Sequence, residues 1–428
     1  MHPKALLDAC TDLVRLVLKF DHPADAVVSR YFREHRNLGP RERATLAETA
    51  YAVLRHKLLF EYLARSGPGS RERKLAVLGF HGDRGFVKSA LSDAEKAWLD
   101  ATDQVPAGDL QPHHRHNLPE WMVPPLKAQV GDDFQALADA LNQPAPLDLR
   151  VNDLKQKRPA ALDLLKKAAI EAEATPYSPW GIRVPGKPAI HKLPAFLNGD
   201  LEVQDEGSQL LAWLTEAKRG EMVTDFCAGA GGKTLALGAM MRSTGRLYAF
   251  DVSAHRLDAL KPRLARSGLS NVHPVAIAHE RDERIKRLAG KMDRVLVDAP
   301  CSGLGTLRRN PDLKWRQTAQ AVAELQAKQL AILASASRLV KAGGRLVYAT
   351  CSILSDENEA VAERFTTEHP DFEVLPVPDL LARLLAQGTS EAEAAAQAQS
   401  LCHGPHLRLW PHRHQTDGFF AAVWQRKG

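Results

Sequence analysis

The apolar positions of the chain follow two different periods. Over residues 3–64 they recur every three to four residues, which predicts a group of amphipathic helices. A further helix is predicted over residues 93–102. The Pro- and His-rich stretch that follows, about residues 105–116, is interpreted as a linker. The pattern therefore predicts a helical domain over residues 1–110.

Between residues 111 and 207 the pattern is mixed. Residues 118–141 are predicted to be helical, and residues 146–151 and 181–184 are predicted to be strands. Pro159 marks the start of another helix, because proline is well tolerated in the first turn. Such an α+β segment of about 90 residues is within the size of units that fold independently.

From Ser208 to the end, apolar strands alternate with glycine turns and amphipathic helices. This alternation predicts an α/β domain with a doubly wound, mostly parallel sheet over residues 208–428. An Ala- and Glu-rich stretch at residues 386–400 is predicted to be an exposed helix carried in an insertion. The predicted strands are residues 222–227, 246–250, 272–276, 294–297, 345–349 and 419–424.

Composition narrows the class of protein. Hydrophobic residues make up 44% of the chain and charged residues 25%, as in globular proteins, and 428 residues exceed the size of one usual core. No apolar run approaches the roughly 18 residues of a membrane span, and residues 1–21 lack a signal-peptide core, so we expect a cytoplasmic protein. Five scattered cysteines indicate free thiols. The excess of 57 basic over 51 acidic side chains is compatible with a polyanionic partner.

A glycine-rich segment at residues 225–234 follows one predicted strand and opens a helix. Glycines let a ligand approach the backbone, and a helix N-terminus offers free amide donors. Asp251 ends the next predicted strand, where a carboxylate can accept hydrogen bonds from two ribose hydroxyls. The spacing fits NAD as well as S-adenosylmethionine, and a tight turn without a ligand is a third interpretation. Lys233 is not a P-loop lysine, because Cys227 stands where that motif requires its first glycine.

Two cysteines follow predicted strands, at the edge where an open α/β sheet binds ligands. Cys301 lies in the motif at residues 298–303, and Cys351 lies in the motif at residues 350–352. Either cysteine alone would be interpreted as a small buried apolar residue, but the two together, beside an aspartate, favour catalysis. Carbon 5 of cytosine is a poor nucleophile, and adding a thiolate to carbon 6 enables it to take a methyl group from a sulfonium. Asp298 could stabilise charge on the base, and Cys301 could assist the elimination.

These motifs resemble those of the RNA 5-methylcytosine methyltransferase family typified by the bacterial Fmu/Sun (RsmB) enzymes. The resemblance implies a Rossmann-like methyltransferase domain, preceded by an α+β RNA-binding segment and a helical NusB-like domain. It implies S-adenosylmethionine as the cofactor and RNA, ribosomal RNA above all, as the partner. We expect a monomer without metal or membrane attachment.

The resemblance also assigns roles to individual residues. It implies that Cys351 is the nucleophile, whereas the DNA cytosine methyltransferases use the cysteine that corresponds to Cys301. Cys301 is implied to act in product release, and Asp298 to contact both base and cofactor. The cofactor-binding residues that it implies are Cys227, Ala228, Gly229, Ala230, Gly231, Gly232, Lys233, Asp251 and Asp298.

The resemblance extends over nearly the whole chain, with one departure that leaves a role open. Where the family has an acidic residue beside the adenine, this sequence has Ala278 and His279. His279, Glu280 or Asp282 could supply the contact, or the contact could be absent. The segments that resemble the RNA-binding and closing parts of the family are residues 147–152, Phe196, Gly199, residues 203–209 and residues 417–420.

Two further sets of side chains admit two interpretations each. Basic side chains on either side of the inferred site could contact RNA phosphates or bases, or could form solvated faces. Histidines in two regions match no zinc spacing, and we interpret them as solvated loop residues. The basic set is Lys155, Lys157, Arg158, Lys166, Lys167, Arg308, Arg309 and Lys314, with Trp315 adjacent. The histidine set is His113, His114, His116, His403, His406, His412 and His414, with Cys402.

Two other functions fit the same sequence. One is a methyltransferase of the same fold that modifies cytosine in transfer RNA. The other is a non-catalytic RNA-binding assembly factor whose NusB-like helices do the work. The presence of Cys301, Cys351 and Asp298 argues against the non-catalytic alternative.

Overall fold

A computed structural model describes residues 1–186 and 188–428, without the side chain of Ala107. These residues divide into two compact units. Unit 1 comprises Met1–Pro144 and Thr306–Ala319, and unit 2 comprises Ala145–Gly305 and Gln320–Gly428. The three-part division at residues 110 and 207 stays a prediction.

The described part of unit 1 is helical, and α-helices also flank the sheets of unit 2. In chain order they are α1 (Pro3–Val17), α2 (Ala24–Glu34), α3 (Pro40–Arg55), α4 (Lys57–Leu63), α5 (Arg71–Leu78), α6 (Arg84–Lys88), α7 (Asp93–Asp103), α8 (Pro112–His116), α9 (Val123–Val130), α10 (Phe134–Leu141), α11 (Arg158–Lys167), α12 (Pro194–Leu197), α13 (Glu206–Trp213), α14 (Gly232–Met240), α15 (Ala254–Ser267), α16 (Glu283–Lys286), α17 (Leu313–Arg316), α18 (Ala319–Ser337), α19 (Glu359–Glu368), α20 (Val377–Leu385), α21 (Glu391–Ser400) and α22 (Pro411–His414). Short 3-10 turns join several of them.

The strands lie in unit 2 and form two sheets. In chain order they are β1 (Leu147–Val151), β2 (Glu173–Ala174), β3 (Gly181–Val184), β4 (Leu201–Val203), β5 (Met222–Asp225), β6 (Arg246–Asp251), β7 (Val272–Ala276), β8 (Met292–Asp298), β9 (Val340–Thr350), β10 (Phe372–Val374), β11 (Cys402–His403), β12 (His406–Leu409) and β13 (Phe419–Arg426). All of the strands predicted after Ser208 are confirmed, several with longer bounds.

Unit 1 is held together by the apolar stripes of its helices. Leu7, Leu46 and Leu99 are completely buried in one continuous core, as the helical period predicts. The stretch interpreted as a linker instead contains helix α8, and His114 and His116 on it are buried. The interpretation of these two histidines as solvated was wrong, because their apolar ring surfaces pack while their nitrogens accept backbone hydrogen bonds.

The segment at residues 306–319 is part of unit 1, although it lies far from the rest of that unit in sequence. Lys314 on it is buried, and its Nζ donates hydrogen bonds to the carbonyl of Arg55 at 2.8 Å and to Oδ1 of Asn142 at 2.7 Å. Burial, and then the charge of Arg55, hold the pKa of Lys314 well below its usual value. Trp315 Nε1 donates to the carbonyl of Leu54 at 2.7 Å. A buried lysine cannot contact RNA phosphates, so the RNA-contact interpretation of Lys314 was wrong.

The smaller sheet of unit 2 has the strand order β2-β3-β1-β4 and is antiparallel throughout. Helix α11 packs against it through Ala161 and Leu165, which share a core with Leu149 and Ile182. Lys166 on the same helix is exposed. The α+β character predicted for this part of the chain is therefore confirmed, and its RNA contacts stay a prediction.

The larger sheet has nine strands in the order β11-β12-β13-β9-β8-β5-β6-β7, with β10 paired to β13. Strands β5 to β9 are parallel to one another, and the remaining four add antiparallel pairs at one side. The chain moves outward from β5 through β6 to β7, and then returns to the other side of β5 through β8 and β9. This reversal creates a switch point, where ligands bind at the carboxyl ends of the strands in doubly wound folds.

The Ala-rich stretch at residues 386–400 differs from the prediction on one face of its helix only. It contains α21, but Ala394 and Ala398 on that helix are completely buried. These two small side chains lie one turn apart on the same face of α21. Because they are small, α20 can pack closely against that face. Most of α21 is exposed as predicted, and its buried alanines form the face that contacts α20. Among the described residues no helix has both the length and the apolar character to cross a membrane.

Candidate active site

A cavity of about 780 Å³ lies at the carboxyl ends of β5, β6, β8 and β9. Nearly all of the predicted site residues line it, namely Cys227, Ala228, Gly229, Ala230, Gly232, Lys233, Asp251, Asp298, Cys301 and Cys351. Gly231 does not line the cavity. Its φ of 81° is left-handed, and a side chain there would overlap Leu260. Gly231 therefore shapes the turn without facing the cavity.

The glycine-rich turn is held between neighbouring strands. The amide of Phe226 donates to the carbonyl of Leu296 on β8, and the amide of Ala228 donates to the carbonyl of Phe250 on β6, both at 2.8 Å. Gly229 also has a left-handed φ, of 56°. Helix α14 begins at Gly232, so its free amides lie at the cavity wall. The turn is thus a concave backbone surface with amide donors.

Asp251 ends β6 and fixes this turn from the side. Its Oδ2 accepts a hydrogen bond from the amide of Gly229 at 2.8 Å, and its Oδ1 accepts one from the amide of Ser253 at 2.7 Å. A carboxylate has about four acceptor positions, so two remain for a ligand. Apolar Ile277 and Ile332 also line the cavity. Paired acceptors beside apolar walls fit the ribose and the ring of an adenosine group.

Asp225 lies beneath the turn with its carboxyl group buried. Its Oδ2 accepts a hydrogen bond from Thr234 Oγ1 at 2.7 Å. Burial raises the pKa of Asp225 from 3.8 to about 7, with Asp298 and Asp251 adding like charge while the Thr234 bond opposes the rise. Near neutral pH this carboxyl group is therefore partly protonated.

We expect Asp225 to make the folded state less stable as pH rises. Between about pH 4 and 7 the folded state binds one proton that the unfolded state has lost. The contribution of this group to the free energy of unfolding is largest below about pH 4. It declines between about pH 4 and 7 and is lost once the pH exceeds the folded-state pKa. Asp225→Asn should flatten that decline, as measured by thermal unfolding between pH 5 and 8. An unchanged slope in the variant would contradict a raised pKa.

Lys233 and Asp298 form an ion pair on the cavity wall. Lys233 Nζ lies 2.7 Å from Oδ2 of Asp298, which ends β8. Burial lowers the pKa of Lys233, but the charge and hydrogen bond of Asp298 and the charge of Cys351 outweigh it, so the pKa is raised overall. Lys233 therefore carries a positive charge next to the predicted nucleophile.

The two cysteines meet because β8 and β9 are adjacent and parallel. Asp298 is aligned with Ala349, and Cys301 and Cys351 lie just beyond the ends of these strands. Their sulfur atoms are 3.3 Å apart. The hydrogen bond with Cys351, then burial, and then the charges of Cys351 and Glu357 raise the pKa of Cys301 well above its usual value. Cys301 therefore retains its proton at neutral pH.

The structure separates the three candidates for the adenine contact. Glu280 lines the cavity. His279 is exposed, with its Nδ1 accepting a hydrogen bond from the amide of Arg281 at 3.1 Å. Asp282 accepts from the amides of Ala278 and Arg284 and starts α16. Of these three candidates Glu280 is the one that lines the cavity, and its contact with adenine stays a prediction.

Several lining residues were missed from the sequence. Gln204 and Ser208 lie within the segment at residues 203–209 that resembles the family, so a signal for them existed. Arg263 and Lys328 project from helices α15 and α18, where nothing local distinguishes them from solvated side chains. Their positions depend on tertiary structure alone.

Two of the histidines near the end of the chain were also interpreted wrongly as solvated, whereas His403 is exposed as predicted. His406 and His414 are buried, and His414 Nδ1 accepts a hydrogen bond from the amide of Trp410 at 2.9 Å. Within residues 1–186 and 188–428 no group of three or more His, Cys, Asp or Glu side chains is arranged to hold a metal ion.

Comparison with known proteins finds two matching family models. The model described as 16S rRNA methyltransferase RsmB/F matches residues 212–425. A model of an RsmF/B-like ferredoxin-like domain matches residues 118–191. Together the two matches cover most of residues 118–425.

Curated relatives and a solved structure match along most of their length. The probable ribosomal RNA small subunit methyltransferase B of Synechocystis sp. is 31% identical over 446 residues, covering 96% of this chain and 97% of that protein. The probable enzyme of the same name from Bacillus subtilis is 32% identical over 356 residues, covering 82% of this chain and 76% of that protein. The crystal structure of PH0851 superposes with a TM-score of 0.79 at 25% identity, covering 100% of this chain and 99% of that chain.

Proposed function

We propose, because this chain belongs to the 16S rRNA methyltransferase RsmB/F family, that it methylates carbon 5 of a cytosine in small-subunit ribosomal RNA. The protein is a methyltransferase that uses S-adenosylmethionine. The observation that supports methylation at carbon 5 is the pair of cysteine sulfurs, which lie 3.3 Å apart on the cavity wall. A methyltransferase acting on an already nucleophilic atom has no need of such a pair.

The cofactor is proposed to bind along the glycine-rich turn. The amides at the start of α14 and the carboxylate of Asp251 suit its amino acid and ribose parts respectively. Glu280 suits the adenine side. When bound, S-adenosylmethionine supplies an electrophilic methyl group. We therefore propose that the residues from Cys227 to Lys233 bind S-adenosylmethionine, as the family resemblance implies.

Cys351 is proposed to open the reaction by adding its thiolate to carbon 6 of the cytosine. The new bond between sulfur and carbon 6 shifts electron density to carbon 5, which then becomes methylated. Lys233 favours the thiolate through its positive charge. Asp298, hydrogen-bonded to Lys233, can share a proton with ring nitrogen 3 and so stabilise charge on the base.

Cys301 is proposed to act after methyl transfer, when the proton on carbon 5 and the bond to Cys351 must be removed. Once Cys351 is a thioether it no longer accepts a hydrogen bond as an anion, which removes the leading reason for the raised pKa of Cys301. Cys301 can then lose its proton to water and take the proton from carbon 5. The bond between sulfur and carbon 6 breaks, its electrons return to Cys351, and the double bond between carbons 5 and 6 re-forms. This restores Cys301 as a thiol and Cys351 as a thiolate.

The methylated position provides the direct test. Protein, S-adenosylmethionine and 16S ribosomal RNA transcript should yield at least one cytosine that resists bisulfite deamination, as 5-methylcytosine does. Transfer RNA serves as the matched substrate, and we expect no protected cytosine in it. Protection confined to transfer RNA would favour the alternative substrate. Methyl incorporation without protection would contradict carbon 5, and no incorporation into either RNA would favour the assembly factor.

A further inference from the structure

Each of the two cysteines is followed by a serine, and both serines bind the same carboxylate. Ser302 Oγ donates to Oε2 of Glu357 at 2.5 Å, and its amide donates to Oε1 at 2.8 Å. Ser352 Oγ donates to the same Oε2. Glu357 therefore bridges the loop after β8 and the loop after β9.

This bridge is buried and its acceptor sites are filled. Glu357, Ser352 and Gln329 are each 0% exposed, and Ser302 is 1% exposed. Gln329 Nε2 on α18 donates to Oε1 of Glu357 and to the carbonyl of Pro300, each at 3.0 Å. Four donors thus converge on one side-chain carboxyl group, which ties both cysteine loops and α18 to Glu357.

The backbone around Glu357 is also tied to the second cysteine loop. Tyr348 on β9 donates from its hydroxyl to the carbonyl of Glu357 at 2.6 Å. Asn358 Nδ2 donates to the carbonyl of Ser352 at 3.0 Å, and Thr350 Oγ1 is hydrogen-bonded to Asn358 Oδ1. The backbone of Glu357 is therefore held next to the loop of Cys351, and its side chain reaches from there to the loop of Cys301.

We propose that Glu357 is a positioning residue that holds Cys301 and Cys351 at the sulfur separation on which the reaction depends. The proposal rests on the proposed function for the roles of the two thiols. Glu357 does not line the cavity, so it acts through the serines and not on the substrate. Its charge also helps to raise the pKa of Cys301.

Two variants distinguish a positioning role of Glu357 from a general contribution of this residue to folding. Glu357→Gln replaces one acceptor oxygen by an amide nitrogen that can only donate, so either the two serine hydroxyls at Oε2 or the Ser302 amide and Gln329 at Oε1 lose their acceptor. Ser302→Ala is milder, because it removes one hydroxyl and leaves the carboxylate in place. Glu206→Gln is the matched control. Glu206 is equally buried and accepts hydrogen bonds from the amides of Tyr177 and Ser178, and neither of its side-chain oxygens is hydrogen-bonded to a residue of the cysteine loops.

The first measurement is the reduction potential of the Cys301–Cys351 pair in the full chain. In glutathione buffers the two thiols pass two electrons and two protons to one glutathione disulfide, which yields two glutathione thiols and the protein disulfide. Loss of the bridge should lower the effective concentration of one thiol at the other about tenfold. The potential should rise by about 30 mV in Glu357→Gln, and by less in Ser302→Ala. Glu206→Gln should keep the wild-type potential even where its melting temperature falls.

The second measurement is single-turnover methyl transfer. A displaced sulfur should slow transfer up to about 10²-fold in Glu357→Gln, while the Kd for S-adenosylmethionine changes less than about twofold. Unchanged potentials and rates in both variants would overturn the positioning role, and Ser302→Ala decides it if Glu357→Gln does not fold. A wild-type protein that methylates no RNA, with potentials that still shift, would contradict the proposed function and support the positioning role.

Discussion

Cys301→Ala is expected to stop after one methyl transfer and to accumulate as a protein–RNA adduct. Cys351 remains able to attack carbon 6, because Lys233 and the cavity around it are unchanged. The group proposed to take the proton from carbon 5 is missing, so the bond between sulfur and carbon 6 cannot break. A denaturing gel with labelled RNA should show a shifted band that survives heat and detergent, carrying one methyl group per adduct.

Cys351→Ala is the matched variant, because it changes the other member of the same sulfur pair. It should form no adduct and should lose methyl transfer on the order of 10⁴-fold or more, as expected for a missing nucleophile. Binding of cofactor and RNA should persist in both variants. An adduct from Cys351→Ala with none from Cys301→Ala would show that the two thiols have exchanged roles.

The architecture of unit 2 could be predicted because its strands are short, apolar and separated by glycine turns. The period of the pattern is a local property, and the switch point follows from the order of strands. The alanines of α21 show the limit of this reasoning. Composition cannot distinguish a helix that is exposed from one whose small side chains let another helix approach. Lys314 shows the same limit for charge, because its partners come from α3 and the end of α10.

The site itself could be predicted only where its residues lie in motifs next to strand ends. Cys301, Cys351 and Asp298 satisfy that condition, and adjacent parallel strands bring them together. Glu357 does not, since it follows Cys351 in the chain but reaches back to Ser302 on another loop. Its importance depends on two hydroxyl groups sharing one oxygen atom, which no spacing in the sequence reveals.

Lys233→Met is expected to lower methyl transfer by about 10²- to 10³-fold and to move the pH dependence upward. The ammonium group of Lys233 stabilises negative charge on Cys351 and on Asp298. Loss of this positive charge from the cavity wall should increase the pH at half-maximal single-turnover rate. Single-turnover rates between pH 6 and 9.5 measure both effects.

Loss of stability must be separated from loss of chemistry in that variant, because Lys233→Met leaves the carboxylate of Asp298 without its partner. The pair is only partly buried, so the loss of folding free energy should be smaller than the roughly 3 kcal/mol or more that removal of one partner costs in a buried pair. The double variant Lys233→Met/Asp298→Asn removes the uncompensated charge and should recover most of the melting temperature. It should not recover the rate, since both the charge beside Cys351 and the proton-sharing group are gone. Recovery of wild-type methyl transfer in the double variant would mean that the pair stabilises the cavity wall and takes no part in the reaction.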